Sequence, residues 1–171
     1  MSSAALPRFR GASAVASLET EPPPLPREDT EMDDPKRIAN QVADAYMAAA
    51  AALDVDGFIS LYDPGARVFD LWTTWSYDGS TAWRRAVEAW FESVGTERVV
   101  VTFDDVRAVG SGDVIVAHGF VGYAATADGV PQRAMTNRLT WVLIRHGHDW
   151  RIVHEHTSAP IDESNEVILE R

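Results

Sequence analysis

The chain of 171 residues contains no cysteine, which excludes disulfide frameworks, thiolate metal sites and cysteine nucleophiles together. Basic residues are scarce, because 15 Lys and Arg stand against 26 Asp and Glu and give a formal net charge of -11 at pH 7. This charge disfavours nucleic acids and anionic membrane surfaces as partners. Long hydrophobic runs are also missing, since none approaches the roughly 20 residues needed to cross a bilayer. We therefore expect a soluble, cytoplasmic protein that binds neither nucleic acid nor membrane.

The first 33 residues show no hydrophobic periodicity. They are rich in serine and alanine and include a proline-rich run at 21–29, a composition that favours extended polyproline conformations. They contain no apolar segment of signal-peptide length. We predict a disordered N-terminal tail over 1–33, a folded domain over 34–161 and a C-terminal tail over 162–171.

Helical spacing of apolar residues begins directly after the predicted tail. The first helix has Asp34 as its cap, has Pro35 in its first turn and extends as far as Leu53. Asp56 is expected to cap a second, short helix, which the turn sequence Asp-Pro-Gly at 63–65 then ends. The sequence therefore predicts two consecutive helices at the start of the domain.

A third helix and a series of strands follow. The helix is predicted to have Ser80 or Thr81 as its cap and to end at Gly95. Helices first and a long antiparallel meander afterwards indicate an α+β domain, in which three N-terminal helices pack in the concave face of a curved, mainly antiparallel sheet. The predicted strands are rich in Val, Ile, Thr and aromatic residues and lie at 67–71, 98–108, 114–126, 133–145 and 150–158.

The last predicted strand carries three consecutive ionisable side chains, His154, Glu155 and His156. Side chains alternate between the two faces of a strand, so the histidines share one face and Glu155 points to the other. A His-x-His pair can present two imidazoles to a metal ion, but a zinc site needs a third ligand on the same face, and the sequence offers none there. We predict no metal site and no cofactor.

The order of elements and the sequence at 150–160 support a family resemblance. Three helices, a short strand and a long curved sheet that closes with Trp-Arg-Ile-Val-His-Glu-His-Thr-Ser-Ala-Pro resemble the nuclear transport factor 2-like superfamily, and more narrowly its SnoaL-like group. The closing strand, and the turn at 63–65 followed by Phe69 and Asp70, are also similar to the association domain of calcium/calmodulin-dependent kinase II. The resemblance covers about residues 35–161.

This resemblance implies a cone-shaped α+β barrel with a deep pocket between the helices and the sheet. It also implies a homodimer or higher homo-oligomer that forms through the outer face of the sheet. Function is only loosely implied, because the superfamily contains isomerases, cyclases, dehydratases, transport adaptors and oligomerisation hubs.

Among the candidate catalytic residues, the resemblance points first to Glu155. It places Val153, Glu155 and Thr157 toward the pocket and the two histidines on the outer side. Burial in an apolar pocket would raise the pKa of Glu155 and suit it to act as a general acid or base. The alternative is a structural role, in which Glu155 pairs with Arg138 or with a tryptophan indole.

Further site candidates lie on other elements. Asp70 is a second candidate base, or else a surface or helix-capping acid. Tyr46 and His118 are candidate donors in the pocket, although His118 also fits a core histidine bonded to a backbone carbonyl. Loop tryptophans either cover a hydrophobic ligand or pack against the helix end. The predicted ligand contacts are Trp72, Trp75, Asn137, Trp141 and Thr157.

Together these residues predict a protein that binds an apolar organic molecule and performs cofactor-free acid/base chemistry beside a carbonyl, as an isomerase, cyclase or dehydratase. Glu155 or Asp70 acts as the base, and Tyr46, His118, Asn137 or a tryptophan indole holds the developing enolate oxygen. The alternative is a non-catalytic module that binds a ligand or assembles oligomers. Against a close match to the kinase association domain, the spaced arginines expected in that domain's pocket are missing.

Overall fold

The computed structural model describes residues 34–128, 130–169 and 171, so the tail predicted over 1–33 lies outside the described residues. The fold is of the α+β class, as predicted. No helix of the described residues is long and apolar enough to span a membrane. In chain order the elements are α1 (Pro35–Ala52), α2 (Val55–Ser60), β1 (Tyr62–Phe69), β2 (Tyr77–Asp78), α3 (Ser80–Val94), β3 (Arg98–Ser111), β4 (Val114–Ala127), β5 (Val130–His146) and β6 (Asp149–Ser158).

The six strands form one sheet in the order β2-β1-β6-β5-β4-β3. All neighbouring strands are antiparallel except β1 and β6, which run parallel and pair Val68 with Glu155 and Phe69 with His156. The parallel pairing brings the residue that follows β1, Asp70, beside Thr157 near the end of β6. Two distant parts of the chain thus supply the polar groups of one site.

The start of α2 differs from the prediction. Asp54 caps this helix, because its Oδ1 accepts a hydrogen bond from Gly57 N at 2.9 Å, whereas Asp56 lies inside the first turn. The helix ends at Ser60, and the Asp-Pro-Gly sequence at 63–65 lies in β1 instead of ending the helix. Proline is accommodated there because the pairing of β1 with β6 is interrupted between Tyr62 and Arg67.

The other helix ends agree more closely with the prediction. Asp34 caps α1, accepting a hydrogen bond from Lys36 N at 3.0 Å. Helix α3 ends before Gly95 as predicted, but the residue at its N-cap is Gly79, which has no side chain to cap with. The two predicted caps, Ser80 and Thr81, are instead the first two helical residues.

The segment predicted as a C-terminal tail folds back onto the sheet. Ile168 N donates to Pro160 O at 2.9 Å, and Thr136 N on β5 donates to Leu169 O at 2.7 Å. Beyond the end of β6, this segment therefore occupies the edge of β5. Leu169 thereby reaches a cavity on the inner side of the sheet.

Candidate functional site

A cavity of about 740 Å³ lies between α3 and the inner face of the sheet. This volume falls in the range of pockets that hold small organic molecules. Its walls are largely apolar and aromatic, and Asp70 is the one carboxylate among the lining residues that the structure describes. The aromatic side chains on the walls are Tyr46, Trp72, Tyr77, Trp83, Trp90 and Tyr123.

Hydrogen bonds fix the orientation of Asp70 at the cavity wall. Thr157 Oγ1 donates to Asp70 Oδ1 at 3.0 Å and accepts from Leu71 N at 3.1 Å, so the threonine hydroxyl is held on both sides. Trp72 N donates to the other carboxylate oxygen at 3.4 Å. Burial raises the pKa of Asp70, and the hydrogen bond from Thr157 opposes that rise. Asp70 is a positioned carboxylate with an increased affinity for a proton.

Glu155 is almost completely buried, with 1% of its surface exposed. Its Oε2 accepts hydrogen bonds from Tyr62 Oη at 2.6 Å and from Trp141 Nε1 at 2.8 Å. Burial raises the pKa of Glu155 to about 7, although both donors act in the opposite direction, and the nearby Asp70 carboxylate adds to the rise. Glu155 does not line the cavity but lies within the core. Of the two structural partners that were predicted, Arg138 or a tryptophan indole, the contact is made by an indole, that of Trp141.

Two tyrosines form the second polar feature of the cavity. Tyr46 Oη and Tyr123 Oη are 2.9 Å apart, and both residues line the cavity. Burial raises the pKa of both hydroxyls well above 10, so both stay protonated at neutral pH. Tyr46 was predicted here but Tyr123 was not. Tyr123 lies two residues after the buried Val121, so strand alternation alone places it on the inner face.

The inner face of β6 differs from the prediction at one residue. Glu155 and Thr157 point inward as expected, but the third inward residue is Ile152 and not Val153. The reason is a register shift, since Leu143 pairs with Ile152 while its neighbour on β5 pairs with His154. This shift leaves Val153 as an extra residue in β6. Residues before Val153 therefore point to the face opposite to the one that simple alternation from Glu155 predicts.

The two histidines of β6 face away from the cavity, as predicted. His154 Nδ1 lies 2.8 Å from Arg67 O, and the ring meets Phe69 edge-on with centroids 5.0 Å apart. His156 is exposed. Within the described part of the chain, no group of three or more His, Asp or Glu side chains is arranged to hold a metal ion.

Both predictions for His118, a donor in the cavity and a core histidine bonded to a backbone carbonyl, are wrong. Ile115, Ala117 and Val121 are buried on the inner face of β4, so strand alternation directs His118 outward, where it is exposed. His118 therefore cannot act on a molecule in the cavity.

The two loop tryptophans have different environments. Trp72 lines the cavity with 46% of its surface exposed, whereas Trp75 is 98% exposed and is not among the lining residues. The loop after β1 thus contributes one of the two predicted ligand contacts to the cavity wall.

Asn137 lies on the inner face of β5 and is 1% exposed. Its Nδ2 and Oδ1 have no hydrogen-bond partner in the described part of the protein. Of the remaining predicted ligand contacts, Trp141 and Thr157 are engaged with the carboxylates of Glu155 and Asp70.

Comparison with solved structures shows a shared fold. An NTF2-like protein of unknown function from Pseudomonas putida KT2440 superimposes with a TM-score of 0.70 at 23% identity, over 80% of this chain and 94% of that one. A protein from Xanthomonas campestris, assigned as a calcium/calmodulin-dependent protein kinase II association domain, gives 0.63 at 18% identity over 72% and 86%. An NTF2-like protein with a cystatin-like fold from Novosphingobium aromaticivorans gives 0.62 at 12% identity over 71% and 79%.

Sequence comparison gives the family. No curated protein matches this chain. The predicted resemblance is confirmed, however, because the family model described as a SnoaL-like domain matches residues 39–162, which is more than half of the sequence. The chain belongs to the SnoaL-like family and has the nuclear transport factor 2-like fold.

Proposed function

We propose that this protein binds an apolar organic molecule in a cone formed by its helices and the concave face of its sheet, and that it moves a proton on that molecule without a cofactor. Asp70 is the base that removes a proton from a carbon beside a carbonyl group. The same carboxylic acid then returns the proton to another atom, as in an isomerisation, or donates it to a leaving hydroxyl, as in a dehydration.

The position of Asp70 carries this proposal. It is a carboxylate on the wall of a largely apolar cavity, and Thr157 holds it in one orientation. A general base must reach the proton that it removes, and its proton affinity is best raised toward neutral pH. Burial supplies that rise in the pKa of Asp70. Glu155 fits the role less well because it lies behind the wall and its Oε2 already accepts two hydrogen bonds.

The tyrosine pair supports the stabilisation of the oxygen that becomes negative during the reaction. Two hydroxyl groups that share one hydrogen bond use only one of their two hydrogens, so the Tyr46 and Tyr123 pair retains one hydrogen to donate. A donor that is already hydrogen-bonded to a second hydroxyl is also polarised and strengthened. The pair can therefore stabilise the negative oxygen that forms when Asp70 removes the proton.

Proton removal can be measured with 2-tetralone, a bicyclic ketone with exchangeable protons beside its carbonyl. We expect the protein to accelerate deuterium uptake from D₂O, as followed by NMR, and the Asp70→Asn variant to lose roughly 100-fold or more of that acceleration. Asn keeps the size of the side chain and can still accept the bond from Thr157, so quenching of tryptophan fluorescence by the ketone should be retained.

Two further variants make this experiment specific. Asp113→Asn changes a carboxylate on an exposed turn and should not alter the exchange rate. If Glu155→Gln loses exchange while Asp70→Asn remains active, the base is Glu155 and not Asp70. Equal rates in buffer and wild type would contradict the catalytic part of the proposal.

A second proposal concerns the outer face of the sheet, which we infer forms a homodimer interface. Val109 on β3 pairs with Val116 on β4, which pairs with Val142 on β5, so the three form one apolar row across the sheet. Val109 is 70% exposed and Val116 is 37% exposed. Apolar rows of this kind on a sheet face are typical of protein interfaces. The solved structure assigned as an association domain has the same fold.

Light scattering tests the interface. We expect the wild-type mass to be that of a dimer, and Val116→Arg to reduce it to that of a monomer because a charge in the apolar row would be buried without a partner. Val130→Arg is the control, since Val130 is also exposed but lies at the opposite end of β5. A monomeric wild type, or a dimer that survives in Val116→Arg, is incompatible with this interface.

A further inference from the structure

We infer that the bound molecule is an organic acid, and that Arg133 binds its carboxylate at the end of the cavity remote from Asp70. The inference rests on the proposed function, because it assumes that an organic molecule occupies the cavity. It adds the chemical class of that molecule and the residue that selects it.

The first observation is the position of Arg133, the one cationic residue among the described residues that line the cavity. It lies near the start of β5, where it pairs with Ala125 of β4, and it shares the inner face with Met135. Its side chain is 65% exposed, so the guanidinium lies where the cavity meets solvent. An apolar molecule in the cavity can therefore keep a charged group at this opening and in contact with Arg133.

The second observation is that Arg133 has donors to spare. Its Nη2 donates to Glu97 Oε2 at 2.8 Å, and Glu97 is not among the lining residues. A guanidinium has five N–H donors, and this bond uses one of them. The residues beside Arg133 in the cavity lining are small, namely Ala124, Ala125 and Ala134. Glu97 thus orients the guanidinium, and there is room beside it for a second acceptor.

The two charged residues of the lining lie at different ends of the cavity. Asp70 accepts a hydrogen bond from Thr157, which pairs with Leu139 on β5. Arg133 lies six positions before Leu139 on the same strand, a separation of roughly 20 Å at the rise of an extended strand. An organic anion is attracted by Arg133 and repelled by an ionised Asp70. The molecule therefore lies with its carboxylate at Arg133 and its uncharged end at the proposed base.

The chemistry of the guanidinium defines the group that it binds. A planar carboxylate matches the geometry of its N–H donors, whereas an ammonium group would be repelled. A phosphate monoester carries nearly two negative charges. It would meet a single arginine that is already paired with Glu97, in a chain of net charge -11. A single carboxylate on an apolar body fits this cavity best.

Three probes test this inference by isothermal titration calorimetry: 2-naphthaleneacetate, its neutral isostere 2-naphthaleneacetamide, and 2-naphthyl phosphate. We expect wild type to bind the acetate about ten-fold more tightly than the acetamide, because hydrogen bonds between two charged groups are the stronger ones. Sodium chloride at about 0.5 M should reduce this preference, since Arg133 is partly exposed and salt screens its charge. Tighter binding of the phosphate than of the acetate would overturn the assignment to carboxylates.

The Arg133→Gln variant should bind the acetate and the acetamide equally. Its dissociation constant for the acetamide should equal that of wild type, which shows that the cavity is intact. Arg98→Gln is the matched control, because Arg98 directly follows Glu97 and is exposed but does not line the cavity. It removes the same charge and should keep the ten-fold preference. An equal loss in both variants would mean that the overall charge of the chain sets the preference, and would contradict a site at Arg133.

The outcomes separate this inference from the proposed function. If wild type binds the acetate and the acetamide equally, or if Arg133→Gln keeps the preference, the inference is wrong while ligand binding in the cavity stands. The wild-type series decides the first of these without any variant. If none of the three probes binds, the proposed binding function itself is wrong, and the role of Arg133 falls with it.

Discussion

Glu155→Gln is expected to abolish most of the pH dependence of stability between pH 4.5 and 8. In the folded protein the pKa of Glu155 is raised from 4.5 to about 7, chiefly by burial. Between these values the folded state keeps a proton that the unfolded state releases, so the free energy of unfolding falls as the pH rises. At about 1.4 kcal/mol per pH unit, the loss attributable to this residue amounts to about 3 kcal/mol, and it is complete above pH 7.

Glutamine is the appropriate replacement because it is neutral at every pH and its amide oxygen can still accept from Tyr62 and Trp141. Urea unfolding of wild type and of Glu155→Gln at pH 5, 6, 7 and 8 measures the effect. The difference between their free energies of unfolding should change with pH. Glu163→Gln is the control, since Glu163 is exposed and its removal should leave the pH profile unchanged. Asp70, whose pKa is also raised by burial, accounts for a residual dependence of the same sign. Parallel profiles for wild type and Glu155→Gln would show that Glu155 ionises normally in the fold.

The burial of Glu155 could be predicted from the sequence, but its environment could not. Strand alternation and the family resemblance together place Glu155 opposite the histidines, on the inner face. The register between β5 and β6 is set by tertiary pairing, and one extra residue in β6 moves Val153 off that face. Nothing in the local sequence marks this shift. The hydrogen bond from Tyr62 to Glu155 depends on the parallel pairing of β1 with β6, which joins residues more than 80 positions apart.

The position of His118 could have been predicted and was not. Strand β4 alternates regularly, with Ile115 and Ala117 buried, so parity alone assigns His118 to the outer face and Tyr123 to the inner one. The alternation of apolar residues along β4 is therefore sufficient to place both side chains. The unpaired amide of Asn137 is different, because only atomic positions can show that a buried group has no partner.

Loops are less predictable than strands for a physical reason. The path of 70–76 has no repeating geometry, so the sequence predicts aromatic side chains near the cavity but not which of them reaches it. Trp72 lines the cavity and Trp75 is almost fully exposed. Two residues of the same type, three positions apart, therefore have different surroundings, and only the folded loop distinguishes them.

In contrast to these loop residues, Phe58 on α2 lies at the centre of the aromatic core. It is fully buried, and its ring centroid lies 4.3 Å from that of Tyr46 and 5.9 Å from that of Trp90. Tyr62 and Phe91 complete its surroundings at 5.9 and 5.7 Å. Since Tyr46 and Trp90 also line the cavity, Phe58 supports the cavity wall from behind.

Phe58→Ala is therefore expected to cost about 3–5 kcal/mol of stability, the range for removing a fully buried aromatic ring and leaving a space that four neighbouring rings cannot easily fill. Trp75→Ala removes a larger side chain that is 98% exposed, and should change stability by about 0.5 kcal/mol or less. Urea unfolding measures both. If Trp75→Ala cost as much as Phe58→Ala, Trp75 would have to be buried in solution. A small cost at Phe58 would mean that the core can collapse into the space, and the walls of the cavity would then be too compliant to hold Asp70 and the tyrosine pair in the fixed positions that the proposed chemistry needs.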